Sequence, residues 1–186
     1  MSNKWVVNAS PLILLAKVGH LALLPKLTVQ RVVPAGVVDE IQAGPVSDPA
    51  QAWLRGEGTR WVLPDLPPDP AVAAWDLGTG ETAVLSWARQ HRGFEAILDD
   101  RAARKCAAVE GIPTRGTLGV IVAAKVGGLI PAARPICNAV VQAGLRIRPA
   151  VLRDALKQKR EKRVSHSLVW SWHCFRGDRP GRKLKS

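Results

Sequence analysis

Asp99 and Asp100 close the apolar run Phe94-Glu95-Ala96-Ile97-Leu98 and are followed at once by Arg101-Ala102-Ala103-Arg104. A buried strand that delivers carboxylates to its C-terminal end, where a helix begins, is how open α/β sheets present metal-binding or catalytic groups. Other oxygen-bearing residues stand at comparable places. Asp39 and Glu40 lie in the helical stretch after a second β-branched run, Glu81 follows Gly78-Thr79-Gly80, and Asn8 and Ser10 end the first run. An all-oxygen set suits a hard divalent cation, Mg²⁺ or Mn²⁺. Such a cation lowers the pKa of a bound water and neutralises phosphate charge, so the set points toward phosphodiester hydrolysis without a Ser, Cys or His nucleophile.

These residues share one edge only if the chain builds a parallel sheet. Short β-branched runs alternate with longer helical patterns, which predicts such a sheet with helices on its faces. Strands are expected at 4–8, 28–33, 60–63, 94–98 and 112–114. Helices are expected from Pro11 through Ala16, and at 20–27, 35–43, 48–55, 80–90, 101–110, 117–125 and 132–143. Thr117 is an expected N-cap, and the proline-rich stretch 64–70 reads as a connection. In a parallel sheet the helices that follow strands start at the C-terminal edge, so Asn8, Glu40, Glu81, Asp99 and Asp100 are expected to line one cleft.

The 186 residues are enough for one domain with a covered core and too few for two of ordinary size. The net charge of +12 invites a nucleic-acid reading, but residues 151–186 alone hold 11 Lys and Arg against three acids. Most of the basicity therefore sits in a tail. One domain over 1–156 is expected, followed by a basic tail over 157–186; 151–163 is basic and helical by propensity, and 167–186, with Trp170, Trp172 and Phe175, shows no periodicity. That mixture suits single-stranded RNA, although a disordered or partner-folded extension, or an altered reading frame or unusual terminus, fits it better. Cys106, Cys137 and Cys174 show no CxxC spacing, which favours reduced structural thiols. No stretch reads as a signal peptide, and 118–130 is too short and too interrupted by Lys125 to span a bilayer. A soluble cytoplasmic protein without membrane attachment is the expectation.

Taken in order, five motifs form a recognisable set. They are Val6-Val7-Asn8-Ala9-Ser10-Pro11-Leu12-Ile13, Val33-Pro34 with Val37-Val38-Asp39-Glu40-Ile41, Leu77-Gly78-Thr79-Gly80-Glu81-Thr82-Ala83, Leu98-Asp99-Asp100-Arg101-Ala102-Ala103-Arg104, and Gly116-Thr117-Leu118-Gly119 with Lys125 and Gly128-Leu129-Ile130-Pro131. The set resembles the PIN domain, and more closely a PIN-like branch of uncharacterised prokaryotic proteins grouped with VapC-type toxins, over about residues 4–156. The resemblance implies a three-layer α/β/α sandwich with a central parallel sheet and a Mg²⁺- or Mn²⁺-dependent ribonuclease site. Position by position, the first-strand acid falls on Asn8, the helix acid on Glu40, the third on Glu81 and the fourth on Asp99 or Asp100; Ser10 matches a small hydroxyl residue. It also implies an RNA substrate, a homodimer and a small antitoxin partner whose C-terminal segment blocks the cleft.

Asn8 departs from that pattern. An amide oxygen can coordinate a cation, but it brings no charge and cannot act as a carboxylate base. A catalytically degenerate RNA- or protein-binding protein is therefore the alternative to a nuclease. Each residue also has a plainer role: Asp100 as a helix cap, Glu81 as a first-turn acid facing the helix dipole, Glu40 as a solvated helix residue. Arg101 and Arg104 suit substrate phosphates or pairing with Asp100 or Glu110. Residues 78–83 also fit GxGxxA, but no strand precedes them, which argues against a dinucleotide site. A phosphorelay receiver would carry its acidic pair after the first strand instead of a late one.

Overall fold

The computed structural model describes residues 4–157. The basic tail, with Cys174, His166, His173 and the aromatic residues 170, 172 and 175, lies outside the described residues.

Five strands, β1 Lys4–Val7, β2 Gln30–Pro34, β3 Val62–Leu63, β4 Phe94–Ile97 and β5 Thr114–Arg115, form one sheet in the order β3-β2-β1-β4-β5. Every adjacent pair is parallel; Val6 lies opposite Val32 on one side and opposite Ala96 on the other. The middle strands are buried on both faces, and this is why β1 reads as the continuous run Trp5-Val6-Val7 instead of an alternation.

The chain leaves β1 through α1 Ala9–Lys17 and α2 Leu23–Leu27 to reach β2, then passes α3 Ala35–Gln42, α4 Pro49–Arg55 and the 3₁₀ turn Glu57–Trp61 to β3. It returns across the sheet through α5 Pro70–Ala73 and α6 Thr79–Gln90 to β4, and through α7 Arg101–Val109 to β5. Right-handed crossovers that run first one way and then the other from β1 place the two helix groups on opposite faces. The closing helices α8 Thr117–Val126, α9 Ala133–Gln142 and α10 Pro149–Lys157 pack on one another, and α8 packs on α1 and α2. The expected α/β/α sandwich is therefore present. Its core joins Val6, Val7, Val32 and Ile97 of the sheet to Leu12 and Leu15 of α1, Leu85 of α6 and Ile121 of α8, all fully buried.

Local chemistry sets the element ends. Asp48 and Asp69 accept the N–H of Ala50 and Ala71 and begin α4 and α5, each followed by proline in the first turn. The buried Gln51 amide points its Nε2 at the carbonyls of Ile41, Gln42, Gly44 and Pro45, fastening the end of α3 to α4. Several boundaries shift from expectation. The second helix starts at Leu23 because Gly19, with φ +70°, turns the chain before it. Residues 57–61 wind into a 3₁₀ turn ahead of a two-residue strand, and the proline-rich stretch leads into a short helix.

Candidate metal site at the switch point

The strand order reverses at β1, which lies between β2 and β4, and open parallel sheets bind ligands at the C-terminal ends of such a pair. Asn8 is the first residue beyond β1, and its N–H donates to Ile97 O at 2.9 Å, locking the ends of β1 and β4 together. Asp99 stands two residues past the end of β4. The backbone thus places both at the crevice before any side chain is considered.

Asn8 is buried, 1% exposed. Its Nδ2 donates to Glu81 Oε1 at 3.0 Å, and its Oδ1, closed off from solvent, accepts no hydrogen bond. An orphaned buried acceptor is costly, by roughly 1–3 kcal/mol, unless a cation or donor serves it. A Cβ added to Gly80 would lie 3.0 Å from that Oδ1 and would collide with Glu40 Oε2. Two acceptor oxygens therefore crowd the bare Cα of Gly80, one from the end of β1 and one from α3, while Glu81 of α6 holds the amide from its other end. Burial first and the neighbouring Glu81 charge second push the Glu40 carboxyl above its ordinary range.

Asp99 faces a different partner. Its Oδ1 accepts Thr117 N at 2.9 Å and its Oδ2 accepts the Thr117 hydroxyl at 2.5 Å. The expected role of Thr117 as N-cap is thereby corrected: Gly116 occupies the N-cap position, Thr117 is the first helical residue, and Asp99 caps α8 from across the sheet. Burial raises the Asp99 pKa, opposed by the two Thr117 hydrogen bonds and by the Arg104 charge. Gly116 has to be small here, because a Cβ would lie 2.8 Å from Arg104 Nη1 and 2.9 Å from Asp99 Oδ1.

Asp100 turns away to cap its own helix, its Oδ1 accepting Ala103 N at 2.8 Å. Arg101 is exposed at the start of α7, Ser10 is half-buried in the first turn of α1, and Asp39 is exposed on α3. Glu110 pairs with Arg89 at 3.2 Å, so Arg104 stays beside Asp99 instead of pairing along its own helix. The structure thus joins Asn8, Glu40 and Glu81 around Gly80, sets Asp99 at the adjacent strand end under the hold of Thr117, and assigns Asp100 to capping. Among the described residues no three His, Cys, Asp or Glu side chains come together as a metal-ligand set. The reason is visible in the residues: one corner is an amide and another is bound to Thr117.

Asp65 is the acid that sequence reasoning passed over. It follows β3 at the same two-residue offset as Asp99 follows β4, and both its oxygens accept the Gly36 N–H, at 3.0 and 2.9 Å, capping α3. Its signal lay in the offset, hidden by the prolines around it.

The comparison with protein families decides the class: a family model described as a PIN domain, DUF3368, matches residues 4–161. The chain belongs to the PIN domain family. No curated protein matches it. PIN domains are in general nucleases that use divalent metal ions and bind RNA, and the oxygen donors at this switch point agree with that class. The orphaned Asn8 Oδ1 and the Glu40 and Glu81 carboxylates beside Gly80 are oxygen donors of the kind a hard cation takes, with Asn8 as the neutral member. Among the described residues no helix is long and apolar enough to cross a membrane.

Proposed function

We propose that this PIN domain is a Mg²⁺- or Mn²⁺-dependent endoribonuclease and the toxin of a toxin-antitoxin pair. The observation that carries the reading is the unpartnered, buried Oδ1 of Asn8 beside Glu40, held in that direction by the Asn8–Glu81 hydrogen bond. Asn8, Glu40 and Glu81 are the residues that would hold the cation, with Asp99 completing the edge and Asp100 supporting the start of α7. A bound divalent ion supplies a water of lowered pKa and neutralises phosphate charge. Glu40, beside Glu81, would help to activate that water. In this reading Arg104, next to Asp99, and the exposed Arg101 meet the phosphates of RNA, and Ser10 orients a ligand or water at the start of α1. A homodimer and a small antitoxin laid across the cleft, in a cytoplasmic setting, complete the proposal.

A second reading has its own support. The neutral Asn8 and the full engagement of Asp99 by Thr117 both fit a degenerate site that binds RNA or protein without cleaving it. Incubation of the purified protein with a mixed RNA pool and Mn²⁺ separates the two. Cleavage that EDTA and Glu81→Gln both abolish supports the enzyme. Absence of cleavage in the parent together with cleavage by Asn8→Asp establishes the degenerate site.

A further inference from the structure

We infer that Arg31, Arg60, Trp61, Gln30 and Val29 form an anion site that takes a phosphate group, at the sheet edge opposite the candidate metal site. Gln30 and Arg31 are the first two residues of β2, and Trp61 directly precedes β3, so all three lie at the N-terminal ends of their strands. The five residues line a cavity of about 350 Å³ that opens to solvent. It contains two guanidinium groups and no carboxylate, and neither arginine has an acid within ion-pair distance among the described residues. Two like charges gathered at one opening without a counter-charge call for an anion from outside.

The site is also built in advance. Arg31 Nη1 donates to Thr28 O at 2.9 Å and reaches Pro25 O and Thr28 Oγ1 at 3.4 Å, while the guanidinium stacks 4.6 Å over the Trp61 ring. Two donors of the same lining have no acceptor: Arg31 Nε and the indole Nε1 of Trp61, which is 4% exposed. Both atoms are closed off from solvent, so they lie behind the lining and add to its positive potential, and the exposed Arg60 is the donor an arriving anion meets first. Burial, and then the Arg60 charge, lower the Arg31 pKa, as expected of an arginine that lacks a counter-ion. A phosphate matches this lining better than a carboxylate because its higher charge and three outer oxygens can meet two guanidinium groups at once.

The test is a titration of the full, metal-free chain with inorganic phosphate, read on the indole N–H resonance of Trp61 assigned through Trp61→Phe. A saturable shift that Arg60→Ala weakens by about tenfold or more supports the site, the change expected from losing one charge-assisted contact. The exposed Arg60 is the chosen position because its removal leaves the Arg31–Trp61 stack in place. Absence of a saturable shift, or a shift that Arg60→Ala leaves unchanged, overturns it. Titrating matched 5′-phosphorylated and 5′-hydroxyl RNA oligonucleotides then separates sources. Equal shifts mean backbone phosphate, a preference for the 5′-phosphate means a terminal group, and response to inorganic phosphate alone means a small free anion. A poly-glutamate peptide that moves the resonance at lower concentration than phosphate does would overturn the phosphate assignment. The site stands independently of any nuclease activity.

Discussion

Asn8 and Glu81, 73 residues apart in sequence, meet through one hydrogen bond of 3.0 Å, and its direction turns the Asn8 oxygen toward Glu40. Swapping the amide oxygen and nitrogen would set an acceptor against Glu81, so the carboxylate determines which way Asn8 faces.

Replacing Asn8 with Asp removes that donor and sets a third carboxylate beside two others. The metal-free variant should lose about 1–3 kcal/mol of stability through the lost hydrogen bond and the new repulsion. Mn²⁺ should stabilise it more than it stabilises the parent. Melting with and without Mn²⁺ measures both quantities; an unchanged metal-dependent rise in melting temperature would show that Asn8 is not at the cation position.

Gly80 lies in the first turn of α6, where alanine would ordinarily favour the helix by roughly 0.5–1 kcal/mol. Here Gly80→Ala should instead destabilise by about 1–3 kcal/mol, because the new Cβ meets Glu40 Oε2 and Asn8 Oδ1. Urea unfolding gives the sign, and a stabilised variant would contradict the crowding around Gly80.

Thr117→Val keeps the N–H bond to Asp99 and removes the hydroxyl one, leaving Asp99 Oδ2 without its partner. A loss of about 1–3 kcal/mol is expected, and Thr117→Ser should recover most of it. A loss for Thr117→Ser with none for Thr117→Val would mean that the threonine methyl, and not the hydroxyl, carries the effect.

The metal-free protein should lose stability as pH rises through the carboxylate range. Glu40 and Asp99 have folded-state pKa values above their unfolded ones, so the folded state binds more protons there. Their contribution is complete below about pH 4 and falls as pH climbs through the folded values. Asp69 works the other way. Despite a desolvation cost, hydrogen bonds from Arg89 and the α5 backbone depress its pKa, and its contribution disappears as pH falls through that depressed value. Urea unfolding in EDTA across this range should flatten on its alkaline side in Glu40→Gln, and an unchanged slope would remove Glu40 from the account.

Cys137 is buried and its thiol is pushed up to about 11; burial raises Cys106 as well. At pH 8 only about 0.1% of Cys137 is the reactive thiolate. In a Cys174→Ser background an aromatic disulfide reagent should therefore label almost nothing in native protein and two thiols in urea. Rapid labelling of the native protein would contradict the packing of α7 and α9.

Much of the architecture was legible in the residues because it depends on neighbours in the chain. Apolar runs flanked by Pro, Gly and Asp located nearly every element, and α6 begins one residue from where its apolar face predicts. Two-residue strands and the 3₁₀ turn Glu57–Trp61 were less legible, since such short segments carry too little pattern and take their conformation from the strand they pair with. The site divided the same way. Residue type and position named Asn8 and Asp99, just past buried strands, and Glu40 and Glu81, in helices that start at the same sheet edge.

The sequence by itself determined the fold class, the identity of the oxygen donors and the neutral corner at Asn8, all properties of side-chain chemistry and local periodicity. Only the tertiary structure decided how the donors are shared. Thr117, 18 residues beyond Asp99, claims both oxygens of that acid, while Asp100 spends its own on Ala103. The buried Asn8 oxygen, oriented by Glu81, remains unserved. Hydrogen-bond partners are assigned by distance in space, and that distance is set by sheet order and register, which no local stretch of sequence contains.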